Sequence, residues 1–342
     1  MSRRIGLRTR QSMGGAPAYA YIFVGHYYWD VNKISRIIIS SFTLKDQLSI
    51  PLAAGMYIYD LLKDGNFLYV CDEAHPSNIT KVNCVSWSID STPLSLASGE
   101  NDVRSACKVG NDLYLACRLS PGTIVKVDLT TFTRTGSLPL NAGENLPNDI
   151  LSDGTSLYAI CGTSPCKIVK IDIATFARVG VLTLSGASLY EYSGGKSVID
   201  GGKLYVPCGY QKYAPPAIYV SRLVKVDLAT FAREDSLLLA SVIYDQACCC
   251  SQVKDNFVYV SSVGVNRLYK VNLTTFAVAA YLDLSVRSSN SLHIDGDFLY
   301  CHNDASDPTG AIIEKVAFST FTSAGTCISW VDPDAIPMSI TS

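Results

Sequence analysis

The sequence predicts an all-β chain, a single propeller of seven blades with four antiparallel strands each. Three observations carry that expectation. A cation is followed six residues later by an aromatic at Arg36/Phe42, Lys81/Trp87, Lys126/Phe132, Lys170/Phe176, Lys225/Phe231, Lys270/Phe276 and Lys315/Phe321, with intervals of 45, 45, 44, 55, 45 and 45 residues. Upstream of the cation stands a short run rich in Tyr, Val, Leu and Ile, as in "FLYVC", "DLYLAC", "SLYAIC", "KLYVPC", "FVYVSS" and "FLYCHN". No window shows the 3.6-residue apolar period of an amphipathic helix.

Each element of the unit follows from its residues. The run around the tyrosine has strand character, and it is often preceded by a tight-turn pair, as at Asp64-Gly65, Asp153-Gly154, Asp200-Gly201 and Asp295-Gly296. A short strand before that turn therefore makes a hairpin with the tyrosine strand. The "KVDLTTF" phrase supplies a third strand and "GSLPL" a fourth, and four strands in about 45 residues is the size of a propeller blade. Read as continuous strand, Lys126 and Phe132 share one facing by the two-residue period. The aromatic is then expected to fill the space between blades, and the cation to be a solvated or paired rim residue.

These phrases resemble the YVTN and NHL-like propeller families, and more closely the "KVDLxTFxRxGxLxL" repeats of extracellular and viral propellers. The resemblance covers nearly the whole chain and implies the fold, and fold does not dictate activity. A ring must also close, or its end blades expose unpaired edges. The expectation is that a C-terminal strand, about Ile336 to Ile340, completes the first blade.

Composition narrows the class of function. Hydrophobic residues make up 48%, charged residues 17%, and the net charge is −2, which suits a packed globular chain. Without a long basic run the body of the chain is not expected to bind nucleic acid. No apolar stretch reaches the ~20 residues of a membrane-spanning helix. The one charge cluster is "MSRRIGLRTR", with Arg3, Arg4, Arg8 and Arg10. "SRRIGLR" resembles a twin-arginine export motif, but Tyr21 to Val24 fit a strand of the repeat. Residues 1–14 are therefore read as a basic arm that anchors the chain to other assembly proteins, residues 15–342 as the propeller, and no cleavable signal is expected.

Twelve cysteines do not form a paired framework. Cys117, Cys161 and Cys208 recur three residues after the blade tyrosine, with Cys71 one residue earlier, a pattern that points to packing. Cys161 and Cys166 bracket a short loop and are candidates for a cross-link. Cys248 to Cys250 lack the second CxxC or the histidines of a zinc site. His26, His75 and His302 follow the tyrosine strands of blades 1, 2 and 7, near Asp30, Asp72, Glu73, Asp304 and Asp307, which poses a metal site as a question. No metal, cofactor or catalytic residue is assigned, because no serine elbow, P-loop, HExxH or dinucleotide fingerprint is present and the inner strands "YDLL", "NDIL" and "ACCC" read as apolar or small.

In an up-and-down blade the first-to-second and third-to-fourth turns share one face, and here they are tight. The remaining loops share the other face and vary. They hold the insertion "GYQKYAPPAIYVSR" and the pairs "MYIYD" and "LYEYS", so Tyr57, Tyr59, Tyr190, Tyr192, Tyr210, Tyr213 and Tyr219 are the candidate contact residues for a glycan or protein partner. The reading that follows is a non-catalytic binding propeller, a surface or tail-associated component of a virus particle. An intracellular scaffold, cytoplasmic in that case, and a lactonase- or lyase-type propeller enzyme are the alternatives.

Overall fold

Tyr69, Tyr114, Tyr158, Tyr205, Tyr259 and Tyr300 occupy one position in successive sheets, each on a second strand beside a hairpin turn. They mark six blades of a seven-bladed β-propeller, in which Phe23 takes the place of the tyrosine in blade 1. A computed structural model describes residues 7–8, 21–25, 33–52, 56–186, 189–193, 195–212, 218–243, 248–262, 265–285, 289–303 and 312–328.

Blade 3 shows the plan: strands Val103–Val109, Asp112–Cys117, Thr123–Asp128 and Thr133–Pro139, running from the centre outward, each antiparallel to the next. Blade 2 splits its outermost strand into Ser88–Ile89 and Leu94–Ser95. Blade 5 interrupts its innermost strand between Tyr192–Ser193 and Val198–Asp200. Seven clusters of buried apolar side chains lie one to each seam between neighbouring blades. The core is thus a ring of interfaces, as expected where every sheet buries both faces.

The repeated phrase is explained by its turn. In blades 2 to 6 the Asp or Asn that ends the third strand folds back onto the chain: Asp128 accepts the N–H groups of Thr130 and Thr131 at 2.7 and 3.3 Å, and Asn272 those of Thr274 and Thr275 at 2.9 and 3.0 Å. The aromatic that follows does not continue the strand. All seven, Phe42, Trp87, Phe132, Phe176, Phe231, Phe276 and Phe321, adopt a left-handed backbone with φ between 48° and 52°. Such a conformation is strained for a bulky residue. The facing inferred from a two-residue period is therefore corrected, because the turn rather than the pleat aims the ring.

What holds that conformation is the neighbouring blade. Phe132 meets Tyr69 with ring centroids 6.1 Å apart, Phe176 meets Tyr114 at 5.7 Å, and Phe231 meets Tyr158 at 6.0 Å. Gly136 leaves room for this wedge, since a Cβ there would stand 3.2 Å from the Phe176 ring. Arg36, Lys81, Lys126 and Lys225 pair with carboxylates, as Lys126 with Asp112 at 2.9 Å and Lys81 with Asp90 at 3.0 Å. Lys170 lies 5.8 Å from the Tyr158 ring centroid and 5.6 Å from that of Phe231.

Closure of the ring differs from the expectation. Phe42 of blade 1 packs on Tyr300 of blade 7 at 5.6 Å, so the seam is closed. The innermost strand of blade 1 is Leu7–Arg8, with Leu7 opposite Val24 and Arg8 opposite Phe23. The position assigned to a C-terminal strand is therefore filled from the N-terminal side, and Arg8 belongs to the sheet rather than to a free arm. Arg3, Arg4, Arg10 and Ile336 to Ile340 lie outside the described residues.

No disulfide joins Cys161 and Cys166. They point into different seams, Cys161 toward blade 3 and Cys166 toward blade 5, so the sheet itself separates them. Cys71 and Cys117 share one seam and act as small apolar fillers.

Candidate binding site at the channel mouth

Propeller channels are lined by the free edges of the innermost strands, whose inward N–H groups need partners. Here side chains of the preceding blade supply them. Asp60 accepts the N–H of Ala106 at 2.8 Å, Ser105 that of Ile150 at 3.2 Å, and Asp149 that of Ser197 at 2.6 Å. From blade 2 to blade 5 each blade thus latches the edge of the next.

Lys196, at the break in the innermost strand of blade 5, converges on this layer from across the ring. Its Nζ donates to Asp60 Oδ2 at 3.0 Å, Ser105 Oγ at 2.7 Å and the Arg104 carbonyl at 3.3 Å, and it stands 3.5 Å from Asp149 Oδ1. One ammonium so joins blades 2, 3, 4 and 5 over the channel axis. "YDLL" and "NDIL" are accordingly not an apolar lining, since their aspartates carry a buried charge network. That a lysine 136 residues from Asp60 completes it is invisible to local pattern.

One residue closer to the loop face, β-bulges set the next layer. The register slips at Tyr59, Arg104 and Asn148 in blades 2, 3 and 4, which turns those side chains back toward the preceding blade. The Arg104 guanidinium lies over the Tyr59 ring, 3.4 Å from its centroid, and pairs with Asp102 at 2.6 Å and Glu73 at 3.6 Å. Asn148 Oδ1 accepts a hydrogen bond from Arg118 Nε at 3.0 Å. Asn148 can sit there because residue 162 is glycine: a Cβ on Gly162 would stand 2.4 Å from the Asn148 amide. Burial, and then the adjacent Arg104, lowers the pKa of Arg118.

The tyrosines expected to ring one face fall into different environments. Tyr57 and Tyr59 are buried, Tyr59 at 1% exposure. This corrects their reading as solvent-facing contacts, because the bulge carries Tyr59 into the seam under Arg104. Tyr190 lies in a two-residue strand paired with Ser185–Gly186, and Tyr192 starts the innermost strand of blade 5. Tyr210 and Tyr219 lie in an extension of blade 5, opposite Val220 and Gln211. Tyr213 lies outside the described residues.

That extension is the largest departure from the repeat. The second and third strands of blade 5, Lys203–Lys212 and Ile218–Asp227, pair as far as Lys212 opposite Ile218, and the outermost strand runs on to Ile243. In blade 3 the equivalent pairing stops at Cys117 opposite Thr123. Four further rungs, at about 3.3 Å each, lift a three-stranded flap roughly 13 Å beyond the loop face.

The histidines do not converge among the described residues. His75 is exposed, and the carboxylate beside it, Asp72, is occupied by Ala74 N at 3.0 Å and Asn78 N at 2.7 Å. His302 is fully enclosed, and neither ring nitrogen has a hydrogen-bond partner among the described residues. His26, Asp30, Asp304 and Asp307 lie outside them, and no group of three metal-ligating side chains assembles within them.

No family model matches the sequence, and no curated protein matches it. Solved structures share the fold. A hydrazine synthase structure from Kuenenia stuttgartiensis superposes with a TM-score of 0.71 at 14% identity, over 87% of this chain and 92% of that one. The computationally designed Ika8 protein superposes with a TM-score of 0.60 at 11% identity, over 95% of this chain and 87% of that one. At such identities the likeness is one of fold.

Proposed function

We propose that this chain is a non-catalytic binding propeller that presents its loop face to a glycan or protein partner, as a surface or tail-associated component of a virus particle. The observation that carries the reading is the blade 5 flap, a built extension of three paired strands on the face where loops vary. Recognition surfaces are commonly raised on rigid scaffolds in this way. The charged groups of the channel support it: Lys196, Asp60 and Asp149 are tied to one another and to backbone N–H groups, an arrangement that holds strands together. The assembly setting rests on the low overall charge and on Arg3 and Arg4, which precede the first strand and suit an acidic groove on a neighbouring protein.

The test replaces residues 209–221 by a tight turn, restoring the blade to its ordinary length. The tagged parent protein, applied to a glycan microarray and to a panel of intact cells, is expected to bind at least one of them. The shortened protein should keep its melting temperature and lose that binding. A parent that binds nothing in either format, or a shortened variant that binds as well as the parent, overturns the reading.

A further inference from the structure

Arg118 stands out among the charged groups around the channel. Its side chain is 36% exposed, its Nε is committed to Asn148, and its nearest carboxylate oxygen is 3.9 Å from Nη1, beyond hydrogen-bond distance. A guanidinium so placed is oriented by one bond and offers the paired Nη–H groups of its outer edge. The side chain is held on both sides: Asn148 seats on Gly162, and Arg104 is fixed against Tyr59.

Two ligand chemistries match such a fork, a carboxylate or similar oxyanion and the adjacent hydroxyls of a polyol. Charge separates them. Arg104 and Arg118 are balanced by Asp102 and Glu73, which act on them at close range. An anion would therefore enter a cluster with no net positive charge and meet two carboxylates. Hydroxyls accept from the same donor fork without bringing a negative charge against Asp102 and Glu73.

From this juxtaposition we infer that the channel mouth between blades 2, 3 and 4 is an uncharged-sugar site, in which Arg118 grips two adjacent hydroxyls and Asn148 is the residue that positions it. The inference rests on the glycan form of the proposed function and moves the contact from the flap to the mouth. Arginine suits this role because its planar guanidinium holds two parallel N–H donors in a fixed fork, which the rotating ammonium of lysine does not.

The experiment uses the full chain with methyl α-mannopyranoside and methyl β-galactopyranoside as neutral probes and galacturonate as the acidic one. Each is titrated at millimolar concentration with saturation-transfer NMR. At least one neutral glycoside is expected to bind saturably and more tightly than galacturonate. Arg118→Lys should weaken it at least tenfold, Asn148→Ala severalfold, and both variants should melt within a few degrees of the parent. No saturable signal from either neutral probe, a preference for galacturonate, or full affinity in Arg118→Lys or Asn148→Ala overturns the inference. Glycoside binding that survives Arg118→Lys but disappears when residues 209–221 are shortened removes this site and leaves the proposed function standing.

Discussion

Lys196 of blade 5 reaches Asp60 of blade 2 over the channel axis, Nζ to Oδ2 at 3.0 Å. Asp60 and Asp149 are almost wholly enclosed, and this ammonium faces both of them, at 3.0 and 3.5 Å. Replacing it with methionine keeps the length and removes the charge. Lys196→Met should destabilise the fold by roughly 3–5 kcal/mol, the range for stripping one partner from a buried pair. Denaturant unfolding measures it; a loss below about 1 kcal/mol would show that the network contributes little.

The left-handed aromatics make a prediction with an unusual sign. Glycine in place of alanine normally costs about 0.5–1 kcal/mol within regular structure. At Phe176, where φ is 49°, alanine would carry the left-handed strain without the ring that opposes it. Both Phe176→Ala and Phe176→Gly should lose stability, with the glycine variant at least as stable as the alanine one. A clearly less stable glycine variant would show that the strain is negligible.

His302 gives a pH dependence. Enclosure holds its pKa at about 3, against an ordinary 6.5. As pH falls through 6.5 the unfolded chain takes up a proton that the folded chain refuses, so stability falls with pH between about 6.5 and 3 and is unaffected by this group above that window. His302→Leu should melt at a temperature that drops less between pH 7.5 and pH 4.5 than the parent's. Equal drops would remove His302 as a source of acid sensitivity.

Thiol chemistry checks the seams. Burial pushes the Cys161 thiol up to about 12 and the Cys84 thiol up to about 11, which suppresses the reactive thiolate. The native protein should react slowly with a disulfide reagent at pH 8. Unfolding should release the same number of thiols with or without prior reductant. A count that rises after reduction would reveal a bridge.

The period, the hairpin turns and the blade count were legible because they depend on neighbours in sequence: alternation, Asp-Gly pairs and a fixed spacing. The cations were legible as paired rim residues where a carboxylate stands beside them, as at Lys81 and Lys126. What escaped is non-local. Leu7–Arg8 is too short to show a period, and the phrase that should mark a blade's opening is missing there. Asp60 and Asp149 sit in apolar runs and acquire their meaning from Lys196 of another blade. Tyr59, Arg104 and Asn148 stand at the same point of successive repeats, but only the slipped register shows that this point aims a side chain backward.

The filling of blade 1 by Leu7–Arg8 makes every blade among the described residues a contiguous stretch of chain, with no sheet assembled from both ends. Among the described residues the seam between blades 7 and 1 is then a split washer whose cut passes through no hydrogen-bonded ladder. Duplication or loss of one unit at the level of the gene would add or remove a whole sheet and leave the others intact. The number of blades is in this sense a heritable quantity that can change in single steps, limited by whether a Phe42-like wedge still finds a Tyr300-like partner when the circle meets.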